Sequence, residues 1–377
     1  MSLPPTSVLA ARHARVRADL DRLNLDALVV TSFTNIRYLA NHVGSAGILV
    51  LTNDAAHLVV DFRYEAAVAA LQASPAACPD LRVYPVPASY EEALLGCLAT
   101  IGVSRVGVEA KDMSLARWEW LVANTSSRHL ELTFRSTSGV IEAVRMVKDD
   151  SEVAILREAA RRIDVVVDAA LRAVRAGEAE RTVAMAIEAA IRGQGYERLA
   201  FDTIVASGPN AALPHHRAGE RVLADGDLVV LDFGGVLHGY CCDLTRTVCV
   251  GSISSQAREL YDAVYDAHQA AVAAVKPGIE ATVIDSAARR VLESRGLGPA
   301  FGHGTGHGLG LDVHEEPRVG KPRADLPAAT LEAGMVFTIE PGAYLPGFGG
   351  VRIEDDVLVT AGGCEVLTRP GRELVAL

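Results

Sequence analysis

Residues 225–235 read DGDLVVLDFGG, and residues 333–342 read AGMVFTIEPG. In each, a glycine opens an apolar run, and an acid stands six residues after it: Asp232 after Gly226, Glu340 after Gly334. A short apolar run bounded by glycine reads as a buried strand. A second strand-like run then delivers another acid in each half, Asp243 in CCDLTRT (241–247) and Glu354 in VRIEDD (351–356). Two helical patterns precede each pair, 149–174 with 179–193, then 254–275 with 281–295. In the first, Val153, Leu156, Ala160, Ile163, Val167, Leu171 and Val174 make one apolar stripe, and Gly177 is expected to end the helix. This order, helix, helix, strands, twice over, predicts an α+β domain with an internal pseudo-twofold duplication and a site between its halves.

Upstream the pattern alternates helix and strand, which predicts an α/β layer of about 140 residues. Helical stretches are expected at 7–24, 64–74, 89–102 and 114–124. Strands are expected at 25–32, 46–52, 55–62, 82–88 and 103–110, with a hairpin at Asn53-Asp54. Ser89 and Glu92 have the spacing of a capping box. The division predicted is an α/β domain over 1–145 and a catalytic domain over 146–377.

Four acids set inside apolar strands need partners, because burying each alone costs several kcal/mol. No matching set of lysines or arginines lies nearby in sequence. Two divalent cations would balance four carboxylates, and one neutral histidine could complete the ligand set. Oxygen-rich ligands with one imidazole suit Mn²⁺, Co²⁺ or Zn²⁺ over a thiolate-binding metal. Two such ions activate a water and clamp a tetrahedral intermediate, which is hydrolysis chemistry.

The imidazole comes from GHGTGHGLGLDVHEEP (302–317). On a helix His303, His307 and His314 would lie near one face, as in a zinc-protease helix, but glycine at every second position from Gly302 to Gly310 makes a helix costly, at about 1 kcal/mol per glycine. An extended segment, closely approached by another backbone, fits better. On it His303 and His307 share a face, and His314 has the opposite parity. Spacing alone leaves His303 and His307 both open as ligands.

Together, LPH (213–215), LDFG…CDLTRT, GHGTGHGLGLDVHEEP, TIEPG and VRIEDD resemble the M24, or pita-bread, metallopeptidases. That family includes prolidase, aminopeptidase P and methionine aminopeptidase, with creatinase as a metal-free relative. The α/β stretch resembles the creatinase-type N-terminal domain. By position, the resemblance implies metal ligands at Asp232, Asp243, His307, Glu340 and Glu354, with Asp243 and Glu354 bridging. It implies that Glu340 also takes and passes the proton of the attacking water, and that His314 donates to the scissile carbonyl. His215 would help protonate the leaving group or grip the peptide, and His303 would lie behind or beside the substrate. His216 and Cys242 depart from the family's common residues at positions that are not ligands.

The extra N-terminal domain argues against a methionine aminopeptidase, and the intact ligand positions argue against creatinase. An Xaa-Pro dipeptidase is favoured, with aminopeptidase P, which accepts longer chains, as the alternative. A non-catalytic protein-binding module of this fold would be expected to have lost ligands, and none is lost. A dipeptidase needs a cation for the substrate's C-terminal carboxylate. Arg318 and Arg352 are the candidates. The expected substrate is a peptide with proline second, and the expected assembly is a homodimer with its contact near residues 34–47.

The net charge is −11 over 377 residues, with no basic block, so neither nucleic acid nor an acidic membrane surface is an expected partner. No apolar run is long enough to span a membrane, and the N-terminus lacks a signal-peptide core. Six cysteines without a CxxC pair suit a reducing, cytoplasmic setting and read as buried thiols. His13, His42, His57, His129, His238 and His268 are expected at the surface or in local caps, with His238-Gly239 at a hairpin tip.

Overall fold

Gly226 and Gly334 both adopt positive φ, 84° and 97°, a region that strains any residue with a side chain. The computed structural model describes residues 3–377. The chain forms two units, Met1–Arg145 and Met146–Leu377.

In the first unit the order is α1 (Thr6–Leu23), β1 (Ala27–Val30), α2 (Phe33–Ala40), β2 (Ile48–Thr52), β3 (Ala56–Val60), α3 (Phe62–Gln72), β4 (Leu81–Pro85), α4 (Tyr90–Ile101), β5 (Arg105–Glu109), α5 (Leu115–Ser127), β6 (Thr133–Thr137) and α6 (Val140–Met146). The strands form one mixed sheet ordered β4-β3-β2-β1-β5-β6. β1, β2 and β3 are buried along their whole length, as continuous apolar runs demand. The hairpin at Asn53-Asp54 forms, closed by Thr52 N–H to Ala55 O at 3.0 Å.

The capping box at Ser89 is only half made. Its hydroxyl accepts from Glu92 N at 3.2 Å, but the Glu92 carboxylate turns toward Arg128, 3.5 Å away. Four of the six histidines expected at the surface or in caps are instead buried: His13, His42, His57 and His268. His13 Nε2 reaches Leu39 O at 2.7 Å, and burial pushes its pKa down to about 4, so a neutral ring serves as a core residue.

Glu109 ends β5 inside the unit. It accepts from Thr31 N (2.6 Å), Ser32 N (2.9 Å) and Asn35 Nδ2 (2.6 Å). Burial outweighs these donors and raises its pKa to about 7. Its unfolded value is lower, so the unfolded chain ionises first and stability falls as pH rises from about 4.5 toward 7, by on the order of 3 kcal/mol. Urea unfolding of the metal-loaded protein across that window should show this slope, and Glu109→Gln should flatten it. An unchanged slope would remove Glu109 as its source.

The second unit begins with α7 (Asp150–Ala173) and α8 (Glu180–Gly193). Asp149 and Glu152 make a complete capping box for α7. The helix stops at Ala173, before Gly177, because Val174 is already extended. Gly177, at φ 92°, instead turns the loop that follows. Next come β7 (Arg198–Leu199), β8 (Ile204–Ser207), β9 (Leu228–Leu237) and β10 (Tyr240–Cys249). β9 and β10 pair antiparallel in unbroken register, Asp243 opposite Gly234 and Thr245 opposite Asp232. His238 and Gly239 close this hairpin at φ 50° and 85°, as a two-residue turn with two positive φ angles requires.

The second half repeats the plan with α9 (Ser255–Ala274), α10 (Ala281–Ser294), β11 (Gly306–Gly308), β12 (Glu315–Val319), β13 (Val336–Ile339), β14 (Gly342–Leu345), β15 (Gly349–Arg352), β16 (Asp355–Thr360) and β17 (Gly363–Val366). Its main sheet runs β12-β11-β13-β16-β17. The halves join at the acids themselves. Glu354 N donates to Thr245 O at 3.1 Å, and Thr245 Oγ1 donates to Glu354 Oε2 at 2.6 Å. The second unit is thus an α+β domain of two matching halves, and the first, preceding it in sequence, is an α/β unit. Among the described residues no helix is long and apolar enough to cross a membrane, and all six cysteines are free thiols.

Candidate active site

The glycine stretch explains itself once β11 is placed. A Cβ on Gly306 would lie 1.8 Å from Thr338 O, and one on Gly308 would lie 2.1 Å from Glu316 O. The glycines therefore let β12 and β13 close on β11 from both sides. Arg289 and Asp285 on α10 hold the preceding turn. Arg289 donates to Phe301 O (3.0 Å) and His303 O (2.9 Å), while Asp285 accepts from Thr305 N at 3.1 Å.

This seating separates the histidines. His307 Nδ1 faces Gly308 O at 3.1 Å and must donate there. In the neutral ring the lone pair is then on Nε2, which points at acids: Glu340 Oε1 at 3.7 Å and Asp243 Oδ2 at 3.9 Å. Asp243, His307 and Glu354 each place one ligand atom within 4.8 Å of the others. His303 is differently engaged. Its Nδ1 lies 2.7 Å from Gly304 O and its Nε2 lies 3.0 Å from Tyr344 Oη. The two histidines left open by spacing are thus told apart by their partners. His314 stands on the turn before β12 with its ring centroid 4.3 Å from that of His307.

Asp232 lies on β9 and Asp243 on β10; Glu340 follows β13 and Glu354 lies between β15 and β16. Asp232 Oδ1 and Asp243 Oδ1 are buried without a hydrogen-bond partner. Burial, then repulsion from Glu354, Asp232, Asp356 and Glu340, holds the Asp243 carboxyl far above the usual range. Burial, then Glu340 and Asp232, does the same to Glu354. Burial raises Glu340 to about 7 against the pull of Arg352. Burial also lowers the pKa values of His303 and His307 to about 4, with His314 contributing at His307. Orphaned carboxylate oxygens, clustered acids and a neutral imidazole lone pair aimed among them suit divalent cations.

A cavity of about 1130 Å³ opens over these groups and is also lined by His215, His303, His314, Arg318 and Arg352. Arg318 is exposed on its wall, with Nη1 donating to Lys321 O at 2.9 Å. Arg352 is buried, and its donors are engaged. They reach Asp232 Oδ2, Tyr344 Oη (2.8 Å), Pro214 O (3.3 Å) and Thr245 Oγ1 (3.3 Å). Arg352 therefore binds Asp232 while lining the cavity. Sequence reasoning missed Tyr344, which links Arg352 to His303. It stands eight residues before Arg352, across the β14–β15 hairpin, and only that pairing makes it visible.

Two family models match the chain: Metallopeptidase family M24 over residues 154–361 and the Creatinase/Prolidase N-terminal domain over residues 12–147. An uncharacterized peptidase of Bacillus subtilis, YqhT, is 37% identical over 96% of this chain and 99% of its own. The structure of an Xaa-Pro dipeptidase from Bacillus anthracis superposes with a TM-score of 0.91 at 34% identity, covering 98% of this chain and 100% of that one. An X-Pro aminopeptidase from Thermotoga maritima gives 0.84 at 31% identity, covering 97% and 99%.

Proposed function

The chain belongs to metallopeptidase family M24, and on that premise we propose that it is an Xaa-Pro dipeptidase whose catalytic domain is residues 146–377 and whose creatinase-type domain is residues 1–145. The observation that carries the reading is the knot of buried acids with orphaned oxygens beside His307, opening on a cavity walled by His215, His314 and Arg318. Asp232, Asp243, His307, Glu340 and Glu354 would hold divalent ions, which would supply positive charge to acidify a water and polarise the scissile carbonyl. Manganese suits this oxygen-rich set with one imidazole, with cobalt or zinc as alternatives.

The chain's own groups do the rest. Glu340 takes the proton of the attacking water and passes it on. His314, whose pKa burial lowers, donates to the carbonyl oxygen as charge develops there. His215 serves the leaving proline nitrogen, which has no hydrogen of its own in the peptide bond. His303, neutral and bonded to Tyr344, packs beside the substrate. Arg318 offers the free side of its fork to the C-terminal carboxylate.

Likeness to the Bacillus anthracis dipeptidase and the exposed Arg318 support the dipeptidase reading. The second reading is an Xaa-Pro aminopeptidase. A cavity of about 1130 Å³ exceeds what a dipeptide fills, and the Thermotoga maritima enzyme shares the fold. Comparing Ala-Pro with Ala-Pro-Ala in the manganese-loaded protein separates them. Hydrolysis should be confined to Ala-Pro, and Arg318→Ala should raise its KM roughly tenfold with kcat little changed. Equal release of alanine from the tripeptide would transfer the chain to the aminopeptidase reading. No hydrolysis of either peptide would sink both.

The free thiols suit the cytoplasm. Exposed Phe33, Val43 and Phe62 on the first unit support a homodimer contact on that surface, around residues 34–47.

A further inference from the structure

His216, one of the departures from the family's common residues, has a partner that the mechanism above does not use. Glu180, the first residue of α8, is fully buried. Its carboxylate gathers one loop from both ends. Ser207 donates through N (2.8 Å) and Oγ (2.7 Å), and Asn210 through Nδ2 (3.0 Å). On the far side, His216 donates through Nε2 at 2.8 Å and Gly219 through N at 3.3 Å. Burial alone would raise the Glu180 pKa, yet Ser207, Asn210 and His216 hold it below the ordinary value. The site is thus built around a charged carboxylate.

Between these anchors runs the segment that carries Pro214 and His215 into the cavity wall, which His216 also reaches while bonded to Glu180. Beyond the turn at Gly208–Ala212 it has neither helix nor strand, only a single turn closed by His216 N to Leu213 O at 3.1 Å. A loop without a backbone ladder keeps its conformational freedom unless side chains remove it. His215 is exposed, so the place of its ring is set by the backbone on either side. Asn210 pins that backbone before it, and His216 pins it immediately after. Charge-assisted bonds of this kind are roughly twice as strong as neutral ones.

We propose that Glu180 and His216 form a positioning pair that holds His215 against the substrate, His216 acting through His215 and not on the peptide itself. The proposal rests on the role given to His215 above. The test is a double-mutant cycle in the manganese-loaded full chain with Ala-Pro, using His215→Ala, His216→Ala and both together. A misplacement of about 1 Å costs up to roughly 10²-fold in rate, so His216→Ala should lower kcat about tenfold and leave KM within about twofold. His216→Gln, which keeps a donor near the Nε2 position, should restore most of that loss. With His215→Ala already present, His216→Ala should cost nothing more.

Losses that multiply in the double variant would overturn the pair, because His216 would then act independently of His215. So would a silent His216→Ala in an enzyme that His215→Ala impairs. If His215→Ala itself has no effect, both the pair and the role of His215 fall. The first two outcomes spare the mechanism while sinking the inference. His216 is partly exposed, so its variants should fold. Circular dichroism checks Glu180→Gln, which should reproduce the His216→Ala kinetics if it folds.

Discussion

Asp243→Asn is expected to give a folded, nearly inert protein, with kcat/KM for Ala-Pro lower by on the order of 10³-fold, about 4 kcal/mol of lost transition-state stabilisation. Asparagine is isosteric and keeps the β10 backbone, including the Asp243 N–H to Asp356 Oδ2 bond at 3.1 Å. It removes one charge from a group in which Asp243, His307 and Glu354 meet within 4.8 Å. Bound manganese per chain should fall with activity. The stability effect has the opposite sign without metal. Burial and neighbouring acids raise the Asp243 pKa in the fold, so the unfolded chain ionises first. Metal-free wild type should therefore lose stability as pH rises above the ordinary aspartate value. Asp243→Asn should lose less, and should melt higher than wild type in chelator near neutral pH. Added manganese should raise the wild-type Tm and leave the variant almost unmoved. Wild-type metal content in the variant would exclude Asp243 as a ligand.

The repeat of glycine, apolar run and acid was legible because a strand's burial and its opening turn leave local marks. Gly226 and Gly334 share a positive φ as well as a spacing. The separate uses of His303 and His307 were not legible from spacing, since both sit at the same parity. Their hydrogen-bond partners differ, and Tyr344 lies 41 residues from His303. Arg352 was noticed as a cation, but its partner Asp232 is 120 residues away. Glu180 escaped notice for the same reason, being an ordinary first-turn acid until 207–219 folds onto it. Strand parity and caps are properties of neighbouring residues. Cross-strand and loop partners are properties of the tertiary fold.

The run Glu354-Asp355-Asp356 shows how far three adjacent acids can diverge, and Asp355→Asn is expected to have the largest effect on stability. Glu354 turns to the cavity, and Asp356 accepts the backbone N–H of Asp243. Asp355 is fully buried among cations. Arg246 Nη2 donates to it at 2.8 Å, Arg372 Nε at 2.5 Å and Thr368 Oγ1 at 2.7 Å, with His268 Nε2 at 3.0 Å. Arg246 also holds the carbonyls of Pro370 (3.0 Å) and Gly371 (3.1 Å), so the same knot moors the C-terminal segment. Removing one partner of a buried ion pair leaves the other charge uncompensated, at a cost of about 3–5 kcal/mol. Burial alone would raise the Asp355 pKa, but Arg246 and His268 keep it well below the ordinary range. Its contribution is therefore present above the unfolded value of about 4 and is lost as pH falls below it. Urea unfolding at pH 7 should show the full deficit in Asp355→Asn, and the gap to wild type should shrink as the solution is acidified. Limited proteolysis should cut the variant first beyond residue 368. A variant as stable as wild type at pH 7 would mean that Arg246 and Arg372 are satisfied by the carbonyls alone.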